Sequence, residues 1–307
     1  MSLRINNNIE SMNAHRNLLM NDRALSKSLE RLASGQKINR AADDPAALVI
    51  SEHMRAQVSG MKQAIRNNEV AISLVQTAEG SMNEISSILV SLRQRAISAA
   101  NVGASDQDMI DANQAEIENA LASIDRVVST TQFGHYKLLD GTNAAKTETN
   151  EDGSISTQEG LRFHVGPNAE HMASTSIRDM STSALGRATV PEGEIPNKSN
   201  FMSLADIDVR NEQGAQDALA IIDQALTEVA TVRGELGAFQ KHTLESNLTS
   251  LQVAAENMTA AESTIRDTDM AQELATFTRN QIMTQSATAQ LAQANAMPQH
   301  VLRLLNG

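Results

Sequence analysis

Apolar residues recur at alternating intervals of three and four along much of this chain. The first such repeat runs through Ala71, Val75, Ala78, Met82, Ile85, Leu89, Leu92, Ala96 and Ala99. This spacing keeps one face of a helix apolar and is typical of a coiled-coil seam. Turn-forming residues and a helix N-cap follow at 101–106. The repeat resumes through Ile110, Ile117, Leu121, Ile124 and Val128, so the two segments together predict a helical hairpin.

A second pair of repeats lies in the C-terminal half, with an offset near Gly237. The first comprises Leu219, Ile222, Leu226, Val229 and Leu236, and the second comprises Leu244, Leu248, Leu251, Ala255, Met258 and Ile265. Prolines occur only at 45, 167, 191, 196 and 298, which permits long helices in both halves. We expect a long, slightly interrupted helix that lies against the hairpin and completes a rod of about three helices.

Each end of the chain carries a further amphipathic helix. In residues 10–34, leucines 18, 25 and 32 are spaced by seven and Gly35 is suited to end the helix. Asp44 and Pro45 read as the N-cap and first residue of the next helix. At the other end, a helix beginning near Met270 is followed by Pro298 and an apolar tail. Such helices are marginal alone, so they either pair within the chain or pack against other subunits.

The middle of the chain has a different composition. From Gly141 to about Asn200 it is rich in Thr, Asn, Ser, Gly and Pro. Two strand-like runs, Leu161–Val165 and Ser174–Ile177, flank a turn at Gly166. The predicted fold is therefore mainly α: a long antiparallel helical rod or coiled-coil bundle with paired terminal helices and a small inserted β-hairpin region.

Composition argues against an enzyme and against nucleic-acid binding. Aromatic residues make up 2% of the chain, with no Trp and one Tyr, so they cannot line a deep pocket. A net charge of −12 repels a phosphate backbone. Cysteine is absent, and neither a signal peptide nor a membrane-spanning apolar run is recognisable, so we expect export by another route.

The residues that could carry chemistry have simpler roles. The seven histidines are scattered without the paired helical spacing of a metal site. The adjacent Asp43 and Asp44 are better explained as capping residues than as an acid pair. Methionines, Met12, Met82 and Met258 among them, are interpreted as packing residues. We expect no catalytic, cofactor-binding or metal site.

The order of several motifs resembles that of a known family. Residues 32–48, LASGQKINRAADDPAAL, resemble the N-terminal signature of bacterial flagellins, and residues 263–271, STIRDTDMA, and 292–302, AQANAMPQHVL, resemble the C-terminal signatures. Between them lie QTAEG at 76–80, MNEI at 82–85, QAEI at 114–117, IDRV at 124–127 and TQF at 131–133, in the family's order. The resemblance covers roughly residues 1–140 and 205–305.

This resemblance implies a subunit that self-assembles into the extracellular flagellar filament, which drives motility. Residues 1–43 and 267–307 would form a terminal core domain, poorly ordered in the free monomer and helical once assembled. Residues 44–140 and 205–266 would be the rod, and 141–204 a reduced outer region. Implied partners are further copies of the chain, an export chaperone of the flagellar type III apparatus, a filament cap protein and a hook–filament junction protein.

The resemblance also implies a surface patch for a vertebrate innate immune receptor. The family usually carries an Arg and, four residues on, a Leu, but the aligned positions here are Ser91 and Arg95, although Glu116 is retained. We therefore expect weak or absent recognition.

The mechanism expected from the sequence is open-ended, head-to-tail association driven by burial of the terminal apolar stripes. The predicted self-assembly residues are Ile5, Leu18, Leu25, Leu29, Leu32, Leu274, Phe277, Leu291, Val301, Leu302 and Leu305. The predicted rod-packing residues are Met82, Ile85, Leu89, Leu92, Ile117, Leu121, Leu248 and Leu251. The alternatives are a hook–filament junction protein and a secreted helical scaffold or adhesin.

Overall fold

The computed structural model of the chain describes residues 8–101, 106–149, 155–158, 160–187, 199 and 201–305. They fall into two compact units: Met1–Ser59 with Ala255–Gly307 forms unit 1, and Gly60–Ala254 forms unit 2. The helices are α1 Ile9–Ser34, α2 Pro45–Ala100, α3 Gln107–Thr130, α4 Glu212–Ala238, α5 Ser246–Arg266 and α6 Met270–Leu305. The mainly α class predicted from the sequence is confirmed.

The predicted end of α1 and the predicted start of α2 are confirmed by their capping contacts. Gly35 follows α1 with φ 71°, the left-handed conformation that glycine adopts most easily, and its N–H donates to the Arg31 carbonyl. The Asp44 carboxylate accepts from the Ala47 N–H at 3.0 Å, so Asp44 caps the start of α2.

The core of unit 2 is formed along the seams predicted for α2 and α3. All fourteen seam positions named above on these two helices are buried. Helix α3 runs antiparallel to α2, since Arg95 pairs with Glu116 and Ser81 accepts from Thr131, just past the end of α3. Helix α4 is also antiparallel to α2, since Arg93 pairs with Asp223 and Glu79 pairs with Arg233. The predicted helical hairpin and the third helix beside it are therefore both present.

The seam predicted for α4 is confirmed in part, since Ile222, Val229 and Leu236 are buried. Leu219 and Leu226, also expected in the seam, are only partly buried, whereas Ala215, Ala218 and Ala225 are fully buried. Alanine lets helices approach closely, so these small residues belong to the contact face, and Leu219 and Leu226 lie at its edges.

The interruption expected near Gly237 is a π-helical segment, Phe239–Glu245, which joins α4 to α5. A π-helical turn contains more residues than an α-helical turn, so it rotates the apolar face and produces the offset seen in the sequence. The segment also presents Phe239, whose ring centroid lies 6.3 Å from that of Phe163.

The strands form three antiparallel pairs within the described residues. They are β1 Gln132–Phe133 with β2 Tyr136–Lys137, β3 Lys146–Thr149 with β4 Ile155–Gln158, and β5 Leu161–His164 with β6 Met172–Thr175. The predicted hairpin is β5–β6, but its second strand starts two residues earlier than expected. The predicted span Ser174–Ile177 is wrong because Ile177 is fully buried in the helical core, beyond the end of β6.

Asparagine side chains fasten the end of β5 to two helices. Asn67 donates to the His164 carbonyl at 3.0 Å, and Asn68 and Asn247 donate to the Val165 carbonyl at 3.3 and 2.6 Å. Next to them Gly60 faces Pro167, and a Cβ at this glycine would lie 3.2 Å from the Pro167 Cβ. The hairpin is thus held against α2 and α5 by polar contacts and a close backbone approach.

The C-terminal helix continues beyond the point expected from the sequence. We expected it to be followed by Pro298 and a separate tail, but α6 extends through Pro298 to Leu305. A proline inside a helix removes one backbone N–H and disturbs the turn before it. The carbonyl four residues earlier, that of Ala294, must therefore find another donor.

Candidate self-assembly surface

Helices α1 and α6 pair antiparallel within unit 1. Near the start of α1, Asn8 donates to the Ala294 carbonyl at 2.8 Å and Ser11 donates to Asn295 at 2.6 Å. Towards its end, Asn280 donates to Ser28 at 3.3 Å. The first part of α1 thus meets the last part of α6. Of the two alternatives from the sequence, pairing within the chain is therefore present.

Polar side chains occupy much of the contact between these two helices. In the described parts of α1 and α6, the buried side chains are Ser28, Glu273 and Ala287. Arg31 approaches Glu273 with 3.6 Å between nitrogen and oxygen. A seam of this kind fixes how the helices align but buries little apolar surface.

Five of the predicted self-assembly residues lie towards this intrachain contact. Leu18, Leu25, Leu32, Phe277 and Leu291 are partly buried. They alternate along the helices with the residues that hydrogen-bond across the pair. Part of each of these side chains is therefore covered by the intrachain contact, and part of it remains exposed.

The other predicted self-assembly residues differ in position. Leu29 and Leu274 are 56% and 52% exposed, so they lie on the outer surface of the pair. Ile5 lies outside the described residues. Val301, Leu302 and Leu305 belong to α6, but their side chains are not among those described.

The outer surface of the pair carries large apolar side chains that the sequence analysis did not identify as a group. Those exposed are Ile9, Met12, Leu19, Met20 and Leu29 on α1 and Met270, Leu274, Ile282, Met283 and Met297 on α6; we call these ten residues the outer apolar surface. Met12, interpreted as a packing residue, is 68% exposed, so it does not pack in the core of its own chain. The seven-residue repeat of the leucines predicts the seam, whereas the residues of the outer apolar surface lie between the seam positions.

The two breaks that flank the pair are joined to each other. The Lys37 N–H donates to the Arg266 carbonyl at 2.7 Å, and the Thr268 N–H donates to the Gly35 carbonyl at 2.9 Å. The Arg266 guanidinium also donates to Glu52 at 2.7 Å. The ends of α1 and α5 and the starts of α2 and α6 are thus tied together.

Asp43 holds the first break in shape. Its carboxylate lies 2.7 Å from the Lys27 ammonium and accepts from the backbone N–H groups of Arg40 and Asn39 at 3.1 and 3.3 Å. The hydrogen bond from Lys27, followed by that from the Arg40 N–H, lowers the Asp43 pKa from 3.8 to about 2. Because the folded-state pKa is lowered, the stabilisation is complete above the unfolded value and is lost as the pH falls towards about 2.

We expect the Asp43 carboxyl to titrate near pH 2 in a carbon-detected NMR experiment on the full chain. Lys27→Gln removes the largest cause of the shift, so the midpoint should move up towards the ordinary value of 3.8. Lys241→Gln, which removes a lysine from unit 2, is the matched control and should leave the midpoint in place. An ordinary midpoint in the unmodified chain would contradict the contact between Lys27 and Asp43.

The predicted rod-packing residues and the receptor patch lie in unit 2. Met82, Ile85, Leu89, Leu92, Ile117, Leu121 and Leu251 are buried, and Leu248 is partly buried. Ser91, Arg95 and Glu116 are exposed, and the Arg95 guanidinium lies 2.7 Å from the Glu116 carboxylate.

In the described part of the chain, no three His, Asp or Glu side chains are placed to hold a metal ion together. No helix in the described ranges combines the length and the apolar character that crossing a bilayer requires. The paired terminal helices are the candidate functional site because they expose the outer apolar surface.

Comparison with known proteins identifies the family of the chain. Residues 5–144 match the bacterial flagellin N-terminal helical region, and residues 219–305 match the bacterial flagellin C-terminal helical region. The chain belongs to the bacterial flagellin family. A flagellin from Bacillus subtilis is 40% identical over 99% of this chain and its own full length. The flagellar filament 30.7 kDa core protein of Treponema maltophilum is 38% identical over 98% of this chain and 99% of its own.

A solved structure shares the flagellin-type fold. A putative flagellar hook-associated protein from Vibrio parahaemolyticus aligns with a TM-score of 0.56 at 14% identity, over 73% of this chain and all of its own. At that identity the likeness shows the fold alone, so it does not favour the junction-protein alternative. The bacterial flagellins are a family of structural proteins.

Proposed function

We propose that this chain is the structural subunit of an extracellular flagellar filament and that it polymerises through its paired terminal helices. One observation carries the proposal: the pair covers part of its apolar side chains in its internal seam and leaves ten large ones exposed on its outer surface. Exposed apolar surface of this extent marks an interaction site. The occupants that fit it are the same helices of neighbouring copies.

The energetics favour assembly only when several neighbours contribute. Burying one large apolar side chain contributes roughly 1.5–3 kcal/mol, and these are already about half covered, so together they provide on the order of 10 kcal/mol. Association costs about 4–15 kcal/mol. A single pairwise contact would cover part of the surface and would be weak. Repeated heterologous contacts that do not close cover all of it, which gives an open helical polymer.

The proposed domain organisation follows the breaks between helices. Residues 1–43 and 267–307 form the terminal core domain, which contains α1 and α6. Residues 44–140 and 205–266 form the next layer, and residues 141–204, which contain two of the hairpins, form a small outer region. The supporting observation is that α1 ends at Ser34, α2 begins at Pro45 and α6 begins at Met270.

The proposed partners follow from the need to keep the terminal helices of different copies from associating before assembly. We propose that the chain functions outside the cell and is exported unfolded through the flagellar type III apparatus. An export chaperone would cover its C-terminal region. A filament cap protein would guide insertion, and a hook–filament junction protein would form the base. The exposed apolar residues of α6 support a chaperone, since they would associate prematurely if left uncovered.

The proposed function is tested by seeded growth of the purified full chain. We expect filaments visible by negative-stain electron microscopy, with the chain as the bulk component, and thousands of copies in filaments sheared from cells. A junction protein would be present in few copies at filament bases. A scaffold or adhesin would stay monomeric or form a closed oligomer under seeding, and either result would overturn the proposal.

We further propose that the innate-receptor patch is degenerate. Arg95 occupies the position where the family has a leucine, and its guanidinium neutralises Glu116 at 2.7 Å. A receptor that requires this carboxylate would have to break the ion pair. In a cell reporter assay we expect weak signalling from the monomer and a gain from the double variant Ser91→Arg with Arg95→Leu. Full potency of the unmodified monomer would contradict the proposal.

A further inference from the structure

Two backbone groups that lack a partner within their own helices meet at the open end of the α1–α6 pair. At the start of α1 the first N–H groups have no carbonyl within the helix, as at every helix start. In α6 the Ala294 carbonyl would ordinarily accept from the N–H at position 298, but that residue is proline and has no N–H. One helix therefore has an unused donor, and the other has an unused acceptor.

A single side chain satisfies both groups. The Asn8 amide oxygen accepts from the Ser11 N–H at 3.0 Å, which caps α1. The Asn8 amide nitrogen donates to the Ala294 carbonyl at 2.8 Å. Asparagine is suited to this position because it carries both a donor and an acceptor, whereas aspartate, an equally good cap, has only acceptors. Ser11 adds a second bond beside it, to Asn295.

We propose that Asn8 and Pro298 together form a register lock, which fixes the axial position of α1 against α6 at the open end of the pair. The seam buries little apolar surface, so the polar contacts across it decide the register. Near the end of α1 these are the Arg31–Glu273 and Ser28–Asn280 contacts, and at the open end they are the hydrogen bonds of Asn8 and Ser11. The Ala294 carbonyl differs from the other carbonyls in the interior of α6, because Pro298 leaves it without its helical donor. Asn8 reaches that carbonyl in one register, and in every slipped register a partly buried carbonyl loses its donor.

This lock also gives the interior proline a role. Proline in a helix interior weakens the helix, so Pro298 is unfavourable for α6 taken alone. Its favourable effect is on the specificity of the register, because it leaves the Ala294 carbonyl free to accept from Asn8. The register in turn decides how the five outer apolar residues of α1 align with the five of α6. The lock acts within one chain, so its test does not depend on polymer formation.

The test measures register at the far end of the pair, about 30 Å from Asn8 along α1. The natural chain has no cysteine, so two engineered residues form a clean reporter. Ser28→Cys with Asn280→Cys joins positions that now share a 3.3 Å hydrogen bond and reports the observed register. Ser28→Cys with Ala287→Cys reports a slip of one heptad. Intrachain disulfides migrate faster than the open chain in a denaturing gel, which separates them from interchain products.

Each pair is oxidised in the full chain, both soluble and after seeded growth, in four backgrounds: unmodified, Asn8→Asp, Pro298→Ala and the two combined. Asn8→Asp keeps the cap and loses the donor, so the ratio of matched to slipped disulfide should fall about 5- to 10-fold. Pro298→Ala should raise helicity and yet lower the same ratio, because the restored N–H satisfies Ala294 in every register. In the combined variant, Asn8→Asp should have no further effect.

Several results would overturn the lock. They are an unchanged ratio in Asn8→Asp, an equal effect of Asn8→Asp with and without Pro298, or no matched disulfide in either state of the unmodified chain. A merely local capping role would change the stability of α1 without moving the distant ratio. Loss of filament growth with a responsive ratio would count against the proposed function and leave the lock intact.

Discussion

Deleting residues 270–307 is expected to abolish polymerisation and to leave unit 2 folded. The deletion removes α6, hence half of the outer apolar surface and the partner of α1. The main hydrophobic core is untouched, because its members lie between Ala71 and Leu244. Sedimentation and electron microscopy after seeding should show no filaments from the truncated chain, while far-UV circular dichroism should show a cooperative unfolding transition retained from the full chain.

The complementary deletion of residues 1–40 tests the same idea from the other end. It removes α1 and leaves α6 without its partner, so growth should again be lost. Mixing the two truncations gives a useful control, since each still carries one helix of the pair and neither carries both. Filaments from both truncations alone would refute assembly through the paired terminal helices.

The seams of unit 2 could be predicted from the sequence because their physical cause is local. The three-and-four repeats of α2 and α3 face one continuous core, so spacing alone identifies residues such as Met82 and Ile124, both fully buried. Helix ends were equally readable where one residue determines them, as Gly35 and Asp44 do. These signals need no knowledge of what lies across the contact.

The organisation of the α1–α6 pair was not readable in the same way. Its seam includes Ser28 and Glu273, which as isolated residues indicate a solvated helix face. Whether such residues face a partner depends on a contact between segments more than 200 residues apart. The outer apolar residues carry no regular repeat of their own, so they appear in the sequence as scattered methionines, leucines and isoleucines.

The small strands escaped prediction for a related reason. β1 and β2 have two residues each, which is too short for an alternating pattern. The place where β6 ends depends on Ile177 entering the helical core, a tertiary contact that overrides local strand preference. The motif residue Gln114 is a similar case: it accepts from the Val209 N–H at 2.9 Å and donates to the Ile207 carbonyl at 3.3 Å. The family motif QAEI at 114–117 includes Gln114 but does not predict this contact.

Placing charge on the outer apolar surface is expected to block assembly without unfolding the chain. Met20 and Leu274 are 62% and 52% exposed, so Met20→Glu with Leu274→Glu leaves each new carboxylate in water in the monomer. In a polymer the same carboxylates would be buried against apolar neighbours without a counter-charge, which costs several kcal/mol. The critical concentration for seeded growth should therefore rise at least ~100-fold, with monomer helicity unchanged.

The matched control separates burial from net charge. Gln76 and Asn119 are exposed polar residues on α2 and α3, in unit 2. Gln76→Glu with Asn119→Glu adds the same two charges, so a general electrostatic repulsion would impair both double variants equally. We expect the control to assemble at close to the original critical concentration, because its charges lie outside the terminal helix pair. Two results would contradict this prediction: equal impairment of the two variants, or normal growth of Met20→Glu with Leu274→Glu. Either would mean that neighbouring copies do not cover these side chains. Assembly would then have to be driven by a different part of the chain.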